Sequence, residues 1–402
     1  MDAIAVTNEA ANAAPAVTGA FAVDATKGRN VGTVNRQWAF RPDDQKYLSL
    51  SELEAAVRAR SENCKAEVST SNLVKVIADA GNADDLRFEL ENGRIVAPTH
   101  WSLGQLCSMV GAPAGYVRKL PAFLAGLNLQ HGLVTHPAEV LKAYTDTVSG
   151  ELRAATSPDY GRIFDKDIVA AVRKVAGNGT GDTRWKVPGM LSADFRTYNP
   201  YVDITKDTTT LSASDRDCVM FLVDDTHPIE IGKLDNGNPD LVFRGFYVWN
   251  SEVGKCAAGI ASFLLRGVCM NRNLWGVEGF EALTIRHTKN GPARFAQEAA
   301  PALLKYSEAS AQGIVTGIAN AKAKTVARND EERVDFLTGF GLPKALAAKV
   351  VAKAEEEEGH KPRSIWDMVQ GMTAVARSIP HQDARLTLEK QAGTLLAKGA
   401  KG

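Results

Sequence analysis

The segment Phe243-Arg244-Gly245-Phe246-Tyr247-Val248-Trp249-Asn250-Ser251-Glu252-Val253-Gly254 sets aromatic, basic and polar side chains in close order. On a strand, Phe243, Gly245, Tyr247 and Trp249 share one face, and Arg244, Phe246 and Val248 the other. Aromatic faces beside a guanidinium suit sequence-tolerant stacking on single-stranded bases, at about 1–3 kcal/mol per base. An aromatic strand in a core has the same pattern. Beyond it stand Lys255, Arg266, Arg272, Arg286, Lys289 and Arg294. From Leu241 to Phe295 seven Lys or Arg face three acids, a local excess of four positive charges. Such a patch neutralises phosphates and makes binding depend on salt.

A second group is Arg153, Ser157, Tyr160, Arg162 and Lys166, on or beside one expected strand. Arg153 would meet phosphate and Tyr160 a base. The alternative has Tyr160 filling the core and Arg153 pairing with an acid such as Asp159. Of the seven histidines, His287 in Arg286-His287-Thr288 has the most site-like setting. A lone His in a basic loop is more often a hydrogen-bonded structural residue or an anion contact than a catalyst. The stretch Leu337–Val350, with Gly339-Phe340-Gly341 and Lys344, resembles a helix-hairpin-helix element whose turn amides face a phosphate. A plain connector between bundle helices looks the same. Leu103–Leu120 admits a helix-turn-helix reading, with Tyr116, Arg118 and Lys119 on the second helix, or a simple helical hairpin.

Enzyme signatures are thin: no P-loop, no G-x-S-x-G and no H-E-x-x-H motif occurs. No catalytic residue, metal ligand set or cofactor is expected from the residues. Lys plus Arg is 47 and Asp plus Glu is 47, so no global field drives the 402-residue chain onto polyanions or a membrane. Nucleic-acid binding would need a local concentration of base. Five cysteines without a C-x-x-C pair argue against a disulfide framework or a zinc ribbon and point to a reducing cytoplasm. No run of about 18 apolar residues suggests a membrane span.

The residues Arg244–Gly254, Leu265-Arg266-Gly267-Val268-Cys269-Met270-Asn271 and Arg286-His287 together resemble the phage and plasmid family called domain of unknown function 932. Arg153, Ser157 and Tyr160, then Ser364–Asp367 and Ala392-Gly393, extend the resemblance over most of the chain after about residue 95. Asn271-Arg272 stands where that family commonly has Asn-Gly. The resemblance implies a role in phage or plasmid DNA metabolism. With the aromatic and basic strip, it makes a protein that binds and anneals single-stranded DNA in recombination the leading expectation. That protein would be a homo-oligomer acting without turnover, with phage or host recombination and single-strand-binding proteins as partners. A helix-turn-helix duplex regulator and a metal-dependent nucleic-acid enzyme, the latter betrayed by turnover dependent on Glu252 or His287, are the alternatives.

These residues need elements to hold them. A capping box from Ser49 to Glu52 opens an amphipathic helix with Leu53, Ala56 and Val57. Asn72–Ala80 reads as a second helix. Leu86, Phe88 and Leu90 alternate with charged residues before Asn92-Gly93, a hairpin signal with a type I′ dipeptide. Leu103, Leu106, Cys107 and Val110 form a helical stripe, and a short helix runs from Ala114 to Leu120. Strands are expected at Leu152–Ile163, Asp217–Val223 and Leu241–Trp249, a buried helix at Gly254–Leu274, and helices from Pro292 onward. The acidic run Glu355–Glu358 reads as a solvated helix end and loop. The fold expected is α+β: a central, mostly antiparallel curved sheet backed by helices, with a helical C-terminal region. Its segments are a disordered leader (1–37), an N-terminal region with β-hairpin and helical hairpin (38–145), a central core (146–295) and the helical C-terminus (296–402).

Overall fold

The computed structural model describes residues 41–78, 85–188, 203–234, 236–267, 272–273, 283–308, 312–379 and 382–400. The described chain forms two compact units, one of residues 64–155 and one of residues 41–63 with 156–400. The first is thus an insertion in the sequence of the second. The segment 1–37 lies outside the described residues.

The larger unit begins with β1 (Lys46–Tyr47) and α1 (Leu50–Asn63). Glu52 N donates to Ser49 Oγ, and Leu48 N donates to the Glu52 carboxylate, the two halves of the N-terminal cap. Leu50, Leu53 and Val57 are the buried stripe of α1.

The insertion carries β2 (Cys64–Thr70), β3 (Lys75–Ala78), β4 (Leu86–Glu89), β5 (Ile95–Pro98), α2 (His100–Met109), α3 (Ala114–Val117), α4 (Ala122–Thr135), β6 (Val140–Asp146) and β7 (Glu151–Thr156). Its sheet runs β2-β6-β7-β5-β4-β3. The helix expected over Asn72–Ala80 is instead a 3-10 turn, Ser71–Leu73, followed by β3 paired to β4. The β-branched Val74, Val76 and Ile77 favour the pleated surface. In the β4–β5 hairpin Gly93 N donates to Leu90 O, so Glu91 and Asn92 form the turn centre with Gly93 after it, rather than a type I′ turn on Asn92-Gly93. Helix α4 went unread in the sequence, although Ala122, Ala125, Leu129 and Leu133 form its buried stripe. Leu103, Leu106 and Cys107 of α2 and its C-cap Val110 are all buried.

The larger unit resumes with α5 (Asp165–Ala176), β8 (Trp185–Lys186), β9 (Leu211–Ala213), β10 (Cys218–Asp224), β11 (Ile229–Lys233), β12 (Pro239–Asn250), β13 (Ala258–Arg266), β14 (Arg272–Asn273) and β15 (Leu283–Ile285). The strands form one antiparallel sheet in the order β1-β9-β10-β12-β13-β14, with β8, β11 and β15 added at the margins, and one of the chain's two sheets curls into a half-barrel. The helix expected at Gly254–Leu274 is contradicted where the chain is described, because Ala258–Arg266 is a strand. All nine of its residues are buried, so both faces are apolar and the two-residue period is hidden. Ala258, Ile260 and Leu264 enter the main core, and Ala261, Phe263 and Leu265 a smaller cluster on the opposite face.

Helices α6 (Gly291–Glu308), α7 (Gln312–Ala323), α8 (Asp330–Gly339), α9 (Lys344–Glu358), α10 (Ile365–Arg377) and α11 (Gln382–Ala400) complete the chain, a helical C-terminal region as expected. Helix α10 is buried from Ile365 to Ala376 and packs against α9 and α11. Its start is a full capping box between Ser364 and Asp367. Glu355–Glu358 ends α9 as expected, but it is not merely solvated, since Glu357 pairs with Arg377 and Glu358 with Arg266.

Candidate functional site

Most of the residues singled out in the sequence fall in three places. Those on the sheet are consumed by the fold. Tyr247 is fully buried, with its ring stacked on Phe221 and on Trp249 at 5.0 Å each. The Trp249 ring also lies under Lys390 Nζ at 5.4 Å. Phe263 packs so closely on Gly245 that an added Cβ there would fall 2.3 Å from its ring. The expected base-stacking face is therefore a packed aromatic cluster, whose rings stack on one another. Arg244 is buried on the opposite face, 8% exposed, as the strand period requires. Arg153, 4% exposed, belongs to the insertion, where it lies over the Tyr144 ring and donates to Cys64 Sγ. It does not face solvent as a phosphate contact would.

Five others converge at the end of β12 that holds Asn250. Asn250 is fully buried and donates through Nδ2 to Ile163 O at 2.9 Å and Asp165 Oδ1 at 2.7 Å. Ser251 Oγ donates to Arg216 O, and Glu252 Oε1 accepts from Asp165 N at the first turn of α5. A carboxylate suits that position because the helix start carries unpaired N–H groups. Asn250 and Glu252 thus anchor the loop before α5, and the Ser251 hydroxyl ties the chain to the turn before β10. Arg162 donates to Glu252 O, and Tyr160 Oη donates to Ser251 O at 3.1 Å. Lys255 pairs with Asp217 at 2.9 Å, and Arg41 with the same carboxylate at 2.8 Å.

Above this network, Tyr160 stacks on His287 with centroids 5.0 Å apart, and the Arg162 guanidinium lies over the Tyr160 ring at 5.3 Å. All three side chains are half-buried, while Arg286 and Lys289 are exposed. Gly161 N donates to His287 O at 3.0 Å, and a Cβ on Gly161 would fall 1.9 Å from the Thr288 carbonyl oxygen. Only glycine lets the two loops approach that closely. Lys166, half-buried, lies over the Phe164 ring at 5.3 Å.

The charges follow from this packing. Burial raises the Asp217 carboxyl, but Arg41 and Lys255 outweigh it and hold the group below the usual carboxylate range. Burial lowers the His287 imidazole, against a backbone hydrogen bond at Gly161 and with help from Arg162. The ring is therefore neutral at pH 7. Its Nδ1 lies 3.2 Å from the Gly161 carbonyl oxygen and 3.4 Å from the Ile163 amide nitrogen, so the ring is held by the backbone of the loop before α5. Burial also raises the Tyr160 phenol, which stays a donor.

The third place is a cavity of about 680 Å³ lined by Asp240, Arg266, Lys322, Glu358, His360 and Trp366, among others. Arg266 bonds Asp240 through Nε and Nη2 at 2.9 Å each and reaches Glu358 with Nη1. Burial raises the Glu358 carboxyl, Arg266 opposes it, and Asp367 and Asp240 add to it. One ligand atom each from Glu358, His360 and Asp367 lies within 4.8 Å of the others. In the sequence this group shows only as Glu358 and His360 separated by one residue, with Asp367 further on.

Lys344 is exposed at the start of α9. For Arg272 only the backbone, in β14, is described, and Cys269 and Asn271 lie outside the described residues. Comparisons with protein-family models, with curated proteins and with solved structures return no match to this chain.

Proposed function

We propose that the protein binds and anneals single-stranded DNA in phage or plasmid DNA metabolism. It does so in the cytoplasm, as a homo-oligomer and without catalytic turnover. The observation that carries this reading is the half-buried Arg162–Tyr160–His287 group beside exposed Arg286 and Lys289. Planar side chains take stacked bases without regard to sequence, and flanking cations take the backbone phosphates. The resemblance to the domain of unknown function 932 family supports the phage or plasmid setting, and with it recombination and single-strand-binding proteins as partners. Exposed Phe123, Leu124, Leu127 and Val134 on α4 support self-association, since contiguous apolar surface marks interfaces. The duplex-reading alternative is weaker. Its second helix, α3, has four residues, and Arg118 is turned back to donate to His100 O. Binding of a fluorescent oligothymidylate at two salt concentrations tests the proposal. Tight, salt-sensitive binding supports it, and no binding at low salt removes it.

A further inference from the structure

We infer that Glu358, His360 and Asp367 form a binding site for a divalent metal ion of the zinc–manganese class, at the wall of the 680 Å³ cavity. Two carboxylates and one imidazole are a ligand set that such borderline cations accept. The three groups come from the last residue of α9, from the residue after Gly359 and from the first turn of α10. Three separate features of the chain bring them together.

Each ligand is held by a partner that leaves a donor atom over, as metal ligands require. Asp367 Oδ2 accepts from Arg363 N at 2.8 Å and Ser364 N at 2.9 Å, which fixes the carboxylate and leaves Oδ1. Glu358 Oε1 is held by Arg266, which leaves Oε2. His360 Nδ1 lies 3.1 Å from Lys361 O. A carbonyl only accepts, so Nδ1 carries the proton and Nε2 offers its lone pair.

Arg266 divides between both oxygens of Asp240 and Glu358 Oε1, which leaves Glu358 Oε2, and Lys322 Nζ divides between Asp240 and the Ile231 carbonyl. A second, independent feature is Trp366, which lines the same cavity at 1% exposure. Its Nε1–H has no acceptor among the described residues. A buried donor without a partner costs about 1–3 kcal/mol, which an acceptor in the cavity would recover. Three protein ligands leave a metal with a position for water or an anion.

The test uses the full chain, treated with chelator and titrated by calorimetry with zinc chloride and, separately, manganese chloride, without DNA. The expected result is one equivalent per chain for at least one of the two ions. His360→Ala and Glu358→Gln should each weaken that binding by about tenfold or more, the scale of a lost or misoriented ligand. His360 is exposed, so its variant stays folded. His131→Ala, an exposed histidine in the other unit, should bind as the parent does. No stoichiometric binding of either ion overturns the inference, as does binding that survives His360→Ala or is lost with His131→Ala. The readout contains no nucleic acid, so its failure and the failure of the DNA-binding proposal are separate results.

Discussion

The ring of Tyr160 lies almost parallel to the imidazole of His287, 15° between planes and 5.0 Å between centroids. The two residues stand on the loops that precede α5 and α6, and the backbone bond from Gly161 to His287 ties those loops together. The pair therefore depends on a glycine that neither ring touches through a side chain.

Gly161→Ala tests that dependence. A methyl group 1.9 Å from the Thr288 carbonyl cannot be accommodated without parting the loops. Overpacking of this kind typically costs about 1–3 kcal/mol. The expected outcome is a lower thermal midpoint, unchanged far-ultraviolet circular dichroism and single-strand affinity reduced about tenfold. Parental stability together with parental affinity would show that the loop approach is not needed.

Arg286 and Lys289 are exposed, so their removal should leave stability unchanged. Each phosphate contact contributes about 0.7 to the slope of log affinity against log salt for single strands. The double variant Arg286→Ala, Lys289→Ala should therefore show a slope shallower by roughly 1.4. An unchanged slope would place the phosphates elsewhere.

Asp217 is the shared partner of Arg41 and Lys255, and all three side chains are largely buried. Asp217→Asn removes the counter-charge of both, and breaking buried pairs in this way costs about 3–5 kcal/mol. Urea unfolding at pH 7 measures it. Because the folded carboxyl titrates below its ordinary value of 3.8, its contribution is present above that pH and disappears as pH falls through the folded value. The difference between parent and variant should narrow in strong acid. A loss under about 1 kcal/mol at pH 7 would mean that the pairs contribute little net stability.

The polar network was legible in the sequence as a set of residues but not as a role. Tyr160, Arg162, Asn250, Lys255 and His287 were all picked out, and the fold brings them together. Their spacing could not show that Asn250 and Glu252 would be used on the backbone of the loop before α5, because those partners lie far away in the chain. The aromatic strip was legible as a strand with the correct faces. What it could not reveal was the partner strands: Phe221 and Phe263 come from β10 and β13, and they bury Tyr247. Strand β13 was misread because it is apolar on both faces, which erases the alternation that marks a half-buried strand. The cation partners were hidden for a similar reason. Arg266 looked like free base until Asp240 and Glu358 were placed beside it.

His287 gives the fold a pH dependence of known sign. Its folded pKa lies below the ordinary 6.5, so the unfolded chain takes up the proton first as pH falls. Stability should decline between pH 6.5 and the folded value, and His287→Gln should remove that part of the decline. Thermal midpoints of both proteins from about pH 7.5 to 5.5 supply the comparison. A constant gap between them across that range would contradict the buried neutral imidazole.

The central claim is that the Tyr160–His287 pair and its neighbouring cations receive single-stranded DNA. Fluorescence anisotropy of a labelled oligothymidylate, with the parent and with Tyr160→Ala at about 50 and 200 mM salt, tests it most directly. The parent should bind tightly at the lower salt and much more weakly at the higher. The variant should lose a further amount of about 1–3 kcal/mol at both concentrations, the worth of one stacked base. No binding by the parent at the lower salt, or equal affinity of parent and variant, would contradict it.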